Sequence, residues 1–502
     1  MTNDAARLLE AADPGDADSV FKAGATAVRN GLAAEALPLL EAGAANHPDD
    51  ARMWQILGLA YRQLEDLAPA VDALRKAAAL APSNALIAHT HARATLEAGL
   101  PALGLFDRAH LLAPNDGSVL LGQVAALFAQ GGLDDAVIGL DDQLRRNPGW
   151  LPGHALVARL RWLRGERREF TSGFERATEA APRDIALWRE WIETLLHAEL
   201  YDDALAILAR GRAAAGPQDI FDLLETICMA EKGDTPAADR HFETLGPIRH
   251  ILMAVRYMRH LLRAGRPDEA ASFVEPWLSG EDANLLWPYA SLAWRLTGDP
   301  RWAWLEGDPG LVGVYDIGER LPSLDALAER LRALHQALGH PLEQSVRGGS
   351  QTDGPLFARI EPEIRTLRAA IVEAVERHIA QLPPPRPGHP MLIARRAPIR
   401  FAGSWSIRLA GEGFHVNHVH PAGWISSAFY VALPEAGMGG PEHAGWLSLG
   451  EATELGVDLP PIRLVEPRPG RLALFPSTMW HGTRPFAEGE RLTVAFDVAR
   501  PG

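Results

Sequence analysis

The stretch GFHVNHVHPAGWISSAFYV, residues 413–431, decides how the C-terminal part of this chain folds. Its side chains alternate, and alternation along a strand places His418 and His420 on one face and His415 on the other. Neutral imidazoles two residues apart on an inward strand face suit one Fe, Zn, Cu or Ni ion. The stretch therefore predicts a β-barrel with two adjacent metal ligands, and it predicts that His415 faces away from the metal.

Two later stretches complete the predicted site. PGRLALFPSTMWHGTRPF offers a third imidazole, His481, after a short apolar strand and a Pro/Ser turn. ERLTVAFDV then places Arg491 and Thr493 on one face of a last alternating strand. A buried guanidinium suits bidentate capture of a carboxylate, and a neighbouring hydroxyl adds one more hydrogen bond. Asp497, on the same strand, is interpreted as structural and is left out of the ligand set.

The order His-x-His, His, Arg-x-Thr resembles the Fe(II)/2-oxoglutarate dioxygenase superfamily, whose double-stranded β-helix carries His-x-Asp/Glu, a distal His and a later Arg. The resemblance implies that Arg491 and Thr493, with Tyr430, bind the cosubstrate 2-oxoglutarate. His420 stands where the family has its carboxylate. The implied iron ligands and catalytic residues are therefore three imidazoles, His418, His420 and His481, and the implied cofactors are Fe(II), 2-oxoglutarate and O2.

A narrower resemblance is to a bacterial branch of 2OG-Fe(II) oxygenases that carry N-terminal tetratricopeptide repeats. HxHP, FPS followed by WHGT, and HPLEQSVRGGSQT at 340–352 carry it. It implies a hydroxylase acting on a protein or peptide held by the repeats. Two other interpretations stay open: a three-His cupin-like metalloprotein that does not use 2-oxoglutarate, and a non-catalytic repeat scaffold with a degenerate barrel.

Some polar and aromatic residues near these motifs are candidates for contact with substrate. RGGSQT is a polar, Gly-hinged loop ahead of the barrel, so we expect it to fold over the active site. The candidate substrate residues are Arg347, Gln351, Thr352, Asn417 and Trp405.

The N-terminal half carries a repeat of about 34 residues, the period of helical repeat arrays. Each unit ends in an amphipathic helix followed by a turn such as HPDD, APSN or APND. The turn prolines are Pro48, Pro82, Pro114, Pro148, Pro182 and Pro217. The copy at 51–84 resembles the tetratricopeptide repeat position for position, with small residues such as Gly58 and Ala70 where two helices must approach closely. We expect five or six clear repeats and two degenerate ones between 220 and 300.

The predicted fold is α+β and multidomain. A tail at 1–16 precedes an all-α tetratricopeptide solenoid at 17–300. A dioxygenase-like domain at 301–502 follows, with helices at 323–338 and 355–382 and a jelly-roll or cupin-like barrel of about eight strands at 390–502. The prolines of the linker LPPPRPGHP exclude a helix between the second of these helices and the barrel.

The composition of the chain indicates which classes of partner and which cellular compartment to expect. The formal charge is −15, from 49 basic and 64 acidic residues, so nucleic acid is not an expected partner. A single cysteine, Cys228, and an acidic N-terminus without an apolar core favour a reducing cytoplasm. No apolar run is long enough for a membrane span. The repeats predict a protein or peptide partner, and the blurred ones leave a homo-oligomer open.

Overall fold

The computed structural model describes residues 2–336, 342, 344–435 and 437–501, and only the backbone of residues 2 and 3. The chain forms two compact units. One comprises Met1–Leu140 and Gly354–Thr366, and the other comprises Asp141–Asp353 and Leu367–Gly502. The end of the predicted helix 323–338 and part of HPLEQ lie outside the described residues.

The described residues contain twenty-one α-helices, almost all of them ahead of the barrel. They are α1 (Thr2–Ala11), α2 (Ala17–Arg29), α3 (Ala33–Asn46), α4 (Ala51–Gln63), α5 (Leu67–Leu80), α6 (Ala85–Glu97), α7 (Leu103–Leu112), α8 (Gly117–Ala129), α9 (Leu133–Arg146), α10 (Leu151–Leu163), α11 (Ser172–Ala180), α12 (Ile185–His197), α13 (Tyr201–Ala215), α14 (Asp219–Lys232), α15 (Thr235–Leu245), α16 (Ile251–Arg263), α17 (Pro267–Val274), α18 (Trp287–Thr297), α19 (Arg301–Leu305), α20 (Leu324–Leu334) and α21 (Pro362–Gln381). Helices α2 to α17 make eight successive pairs, six in the clear repeats and two in the region where the period blurs.

The proline turns begin the next helix as well as ending the last one. In HPDD the side chain of Asp50 accepts a hydrogen bond from the backbone N–H of Arg52, and in APSN the side chain of Asn84 accepts one from Ile87. These N-caps satisfy amide groups that the first helical turn leaves unpaired. The repeated Pro-x-Asp/Asn turn therefore sets the helix boundaries.

Close helix contact explains the small residues of the repeat. A Cβ atom on Gly58 would lie 2.6 Å from Cγ of Leu74 and 3.1 Å from the carbonyl oxygen of Ala70. Both distances are shorter than van der Waals contact. Helices α4 and α5 can therefore pack at this separation only with glycine at that position.

A segment from far along the chain packs on the second and third repeats within the first unit. The backbone N–H of Ile360 donates a hydrogen bond to the carbonyl oxygen of Ala98, at 3.1 Å. Ala358 and Ile360 cover a small core that includes Leu67 and Leu74. This contact and the prolines at 355 and 362 delay α21, which begins at Pro362 and not at 355 as the sequence predicts.

The degenerate repeats are joined by a buried carboxylate. Glu231 on α14 accepts hydrogen bonds from Arg256, Arg259 and Arg263 on α16. Their positive charges hold the pKa of Glu231 well below its usual range against the opposing effect of burial. None of the helices in the described ranges has both the length and the apolar content needed to cross a bilayer.

Nine strands in the described residues form one antiparallel sheet. They are β1 (Gly313–Asp316), β2 (Val346–Gln351), β3 (Phe401–His418), β4 (Gly423–Ala432), β5 (Leu447–Leu449), β6 (Arg463–Val465), β7 (Arg471–Pro476), β8 (His481–Thr483) and β9 (Arg491–Ala499). The strand order is β1-β7-β4-β9-β3-β8-β5-β6, with β2 also paired to β3. The first half of β3 pairs with β9 and the second half with β8, so this one long strand links a β1-β7-β4-β9 layer to a β8-β5-β6 layer. That is the pairing of a double-stranded β-helix.

Two strands lie ahead of the predicted barrel. The sequence predicts a loop at RGGSQT, but the structure has β2 there, and it has β1 at Gly313–Asp316. Both are edge strands whose pairing is set by the partner strand rather than by their own pattern. The register of β2 against β3 shifts between Arg347 and Gly349, and Gly348 has a φ of +67°, which favours glycine.

The core of the second unit runs from the last repeat helices into the barrel. Trp480, which is 3% exposed, belongs to the same buried cluster as Tyr289, Leu261 and Leu455. Its indole N–H donates to the carbonyl oxygen of Pro288, at 3.1 Å. The residue next to His481 is therefore packed by α16 and α18.

Candidate metal and cosubstrate site

Three imidazoles meet where β3, β4 and β8 come together. His418 ends β3 and pairs with His481, the first residue of β8, while His420 lies in the turn before β4. Each offers a nitrogen, and these three atoms lie within 4.8 Å of one another. This is the geometry of a three-nitrogen face around one ion, with the remaining positions open.

The other ring nitrogen of each histidine is occupied by the protein. Nδ1 of His418 lies 2.8 Å from the carbonyl oxygen of Val416, and Nδ1 of His481 lies 2.9 Å from that of Met479. A carbonyl oxygen only accepts, so Nδ1 carries the proton in both rings and the lone pair is on Nε2. Outer hydrogen bonds of this kind orient a ligand for a metal.

Burial keeps the rings of His418 and His481 neutral. It lowers the pKa of His418 to about 3, with the neighbouring His420 as a second cause. Burial also lowers the pKa of His481 well below its usual value, again reinforced by the adjacent imidazoles. Neutral imidazole is the form that binds metal.

Arg491 brings a positive charge into the same pocket, and the described part of the chain offers it no carboxylate partner. The residue is 2% exposed, and its Nε atom has no hydrogen-bond partner. Among the described residues no carboxylate lies within salt-bridge distance of its guanidinium, which lies 5.0 Å from the ring centre of Tyr430. Burial lowers the pKa of Arg491 and raises that of Tyr430. An unpaired buried cation is costly, so the pocket is suited to an anion.

One cavity joins the two features. Its walls include His418, His420, His481, Arg491 and Thr493. The predicted metal ligands and the predicted anion-binding pair are therefore brought into one pocket.

The candidate substrate residues divide into two groups. Gln351 and Trp405 line the cavity. The other three contribute nothing to its walls and bond elsewhere. Arg347 pairs with Glu199 at 2.6 Å, Thr352 bonds to the backbone of Ser406, and Asn417 accepts from the hydroxyl of Thr453.

The position of His415 contradicts the prediction made from strand alternation. The sequence predicts that it faces away from the metal, but it lines the cavity with its ring 6.0 Å from that of His418. The cause is a bulge: His415 pairs with Thr483 and His418 with His481, so three steps on β3 match two on β8. One extra residue reverses the face of every side chain beyond it.

Two site residues were missed by sequence reasoning. Ser345 lines the cavity and its hydroxyl lies 3.2 Å from Nε2 of His418, but nothing in the sequence marks it. Asp497 lies 2.8 Å from Nδ1 of His420. A signal for Asp497 existed, because residues 491, 493, 495 and 497 share one face of β9.

The residues present fit both implied ligands. Three converging imidazole nitrogens suit Fe(II), and they also suit other divalent ions. The guanidinium of Arg491, which no carboxylate of the described residues pairs with, suits one carboxylate of 2-oxoglutarate beside the Thr493 hydroxyl.

Comparison with known proteins gives one family match and several similar solved structures. Residues 403–497 match the model of a family described as "Putative 2OG-Fe(II) oxygenase". No curated protein matches the chain. Solved structures similar to it include MamA from residue 41 to its end, from Desulfovibrio magneticus RS-1, with 18% identity over 34% of this chain and 97% of that one and a TM-score of 0.30. Another is YrrB, described as a TPR protein with an unusual peptide-binding site, with 19% identity over 37% of this chain and 92% of that one and a TM-score of 0.30.

Proposed function

We propose that this chain, which joins a tetratricopeptide-repeat array to a 2OG-Fe(II) oxygenase-like domain, is an Fe(II)- and 2-oxoglutarate-dependent dioxygenase that hydroxylates a protein or peptide. One observation carries the proposal. A buried guanidinium, which has no carboxylate partner among the described residues, shares a pocket with three converging imidazoles. A metal site alone has no need of Arg491, whereas a chelating dicarboxylate uses both features.

The residues divide the work between them. His418, His420 and His481 hold the metal on one face and leave the other face to cosubstrate and O2. Arg491 pairs with the far carboxylate of 2-oxoglutarate, and the Thr493 hydroxyl donates to it, which fixes the cosubstrate in one orientation. The bound iron and cosubstrate supply the oxidative chemistry.

Part of the pocket lining favours a neutral, polar substrate segment. Gln344, Ser345, Gln351 and Trp405 line the pocket and bring no charge. Amide and hydroxyl groups of this kind hydrogen-bond to peptide backbone. Helical repeat arrays form extended concave surfaces that bind peptides, and this supports delivery of a protein target by the repeats.

Anaerobic reconstitution of the full chain with Fe(II) and 2-oxoglutarate tests the proposal. We expect a weak visible metal-to-ligand charge-transfer band that is absent in His481→Ala and strongly weakened in Arg491→Ala. Admission of O2 then gives succinate. No band, with Zn(II) or Ni(II) bound by the imidazoles, would favour the cupin-like interpretation, and absence of any metal binding would favour the scaffold.

The protein-substrate part needs a separate test. Cell proteins are incubated with the reconstituted chain and searched for peptides that gain one oxygen atom. We expect gains that require 2-oxoglutarate and disappear with His481→Ala. Succinate formation without any modified protein would restrict the proposal to the chemistry and remove the protein substrate.

A further inference from the structure

The structure assigns Asp497 as a positioning residue for the metal site: its carboxylate supplies, through His420, the negative charge that the three-imidazole ligand set lacks. This inference rests on the proposed function. A carboxylate ligand would neutralise part of the charge of Fe(II), and His420 in its place contributes none. Asp497 restores a negative charge behind His420, so this charge acts on the metal through the imidazole and not by direct contact.

The geometry of the pair is that of an oriented hydrogen bond. Both carboxylate oxygens of Asp497 lie 2.8 Å from Nδ1 of His420. An ionised carboxylate only accepts, so Nδ1 carries the proton and Nε2 is directed to the metal. His420 therefore has the same orientation as the other two ligands but a charged partner where they have carbonyl oxygens.

Asp497 is itself held in place and has no competing cation. It is 8% exposed, and the Ser426 hydroxyl donates to it at 2.5 Å. The Ser477 hydroxyl lies 2.9 Å from that of Ser426. Within the described residues, His420 is the only basic side chain within salt-bridge distance of Asp497. A buried carboxylate is costly unless it is paired, and here its partner is a metal ligand.

The position of Asp497 on β9 links the two halves of the site. Arg491, Thr493 and Asp497 share one face of this strand, which pairs with β4 through Ser426. One rigid strand therefore holds the anion-binding pair at one end and the support of His420 at the other. The charge on Asp497 makes His420 a stronger electron donor to the metal.

Replacement of Asp497 by asparagine removes the charge of the side chain and keeps its shape. Asp497→Asn keeps an oxygen that accepts from Nδ1 of His420 and removes the negative charge. Asp316→Asn is the matched control, because Asp316 pairs with Arg471 at the edge of the same sheet, on β1. Affinity for Co(II) alone is measured by competition with a fluorescent chelator. We expect a loss of about 10- to 100-fold in Asp497→Asn and no change in Asp316→Asn.

A second readout excludes a purely structural role. With weaker donation from His420 the Fe(II) electrons lie lower in energy, so the charge-transfer band of the Fe(II)–2-oxoglutarate complex moves to shorter wavelength in Asp497→Asn. A lower melting temperature with an unmoved band and a Co(II) affinity within twofold of wild type would overturn the inference. Wild type without measurable Co(II) affinity would instead overturn the proposed function.

Imidazole proton NMR on the wild-type chain loaded with Zn(II) covers the case in which Asp497→Asn does not fold. We expect the Nδ1–H of His420 to resonate further downfield than those of His418 and His481, which donate to carbonyl oxygens. Three similar resonances would show that Asp497 does not polarise His420 and would overturn the inference.

Discussion

At the scale of single residues, the charge on Arg491 is the least expected feature of the barrel. A guanidinium that is 2% exposed without a carboxylate partner destabilises a protein until an anion arrives. Its burial is therefore understood as preparation for a ligand rather than as a contribution to stability. Tyr430, under the guanidinium, holds the side chain in place through its ring face.

Arg491→Met tests this directly, because methionine keeps most of the volume and removes the charge. We expect the ligand-free variant to melt no lower than wild type. We also expect loss of the increase in melting temperature that 2-oxoglutarate and Mn(II) together give to wild type, since a ligand stabilises only the state that binds it. A variant that melts much lower without ligand and still responds to 2-oxoglutarate would contradict the assigned role.

A second residue-scale prediction concerns His378, which lies on α21 with Nδ1 3.0 Å from the Tyr315 hydroxyl. Burial lowers its pKa from 6.5 to about 4. The unfolded chain therefore takes up a proton at higher pH than the folded chain does. The free energy of unfolding is greatest above pH 6.5 and falls as the pH drops from 6.5 toward 4, by roughly 3 kcal/mol from this group.

His378→Leu removes that dependence. We expect the variant to be less stable than wild type at pH 8, where it lacks the Tyr315 contact, and the gap to narrow by about 2 kcal/mol at pH 5. Urea unfolding at the two pH values measures it. Parallel losses in both proteins would show that His378 titrates normally.

At the scale of elements, a helix or strand can be predicted from the sequence when residues nearby in the chain determine it. The helix pairs follow from proline turns and caps within one repeat, and their boundaries agree with the structure. His418, His481 and Arg491 lie on β3, β8 and β9 and line one pocket, while their roles stay predictions. Strands β1 and β2 were missed because GVYD and VRGGSQ pair by contact with distant strands, and His415 was misplaced because a bulge depends on the partner strand.

The glycines of β2 give the element-scale prediction. Gly348 has a φ of +67°, and a Cβ there would lie 3.0 Å from Cα of Gly413. Gly388 has a φ of +75° with nothing within 4 Å. We expect Gly388→Ala to cost about 1 kcal/mol for its backbone alone and Gly348→Ala to cost more, since strand β3 must also move.

The two variants also differ in function. Because β2 follows directly after Gln344 and Ser345 and ends in Gln351, Gly348→Ala should weaken 2-oxoglutarate and metal binding, whereas Gly388→Ala should not. Chemical denaturation and Co(II) titration measure the two effects. Equal costs for both glycines would show that the close approach to Gly413 is relieved without consequence.

At the scale of the whole molecule, the last repeat helices share a core with a neighbour of the candidate metal site. Trp480 precedes His481, stacks edge-on against Tyr289 at 5.7 Å and bonds to the backbone of Pro288. Periodicity does not reveal this, because a degenerate repeat and a domain-flanking helix look alike in sequence. The boundary near 301 therefore stays a prediction, and the buried face of Trp480 suggests where to test it.

Two truncated chains test the predicted domain boundary near 301. A chain of residues 301–502 lacks α16 and α18 and leaves the Trp480 side of the metal site open to water, while a chain of 141–502 keeps that core complete. Loss of the packing around one buried tryptophan costs about 3–5 kcal/mol, a large part of the stability of a domain. We expect 141–502 to unfold cooperatively and bind Co(II) as the full chain does, and 301–502 to aggregate or bind at least tenfold more weakly. A folded 301–502 with full affinity would place the catalytic domain boundary at 301 and reduce the Trp480 contact to a brace between neighbouring elements.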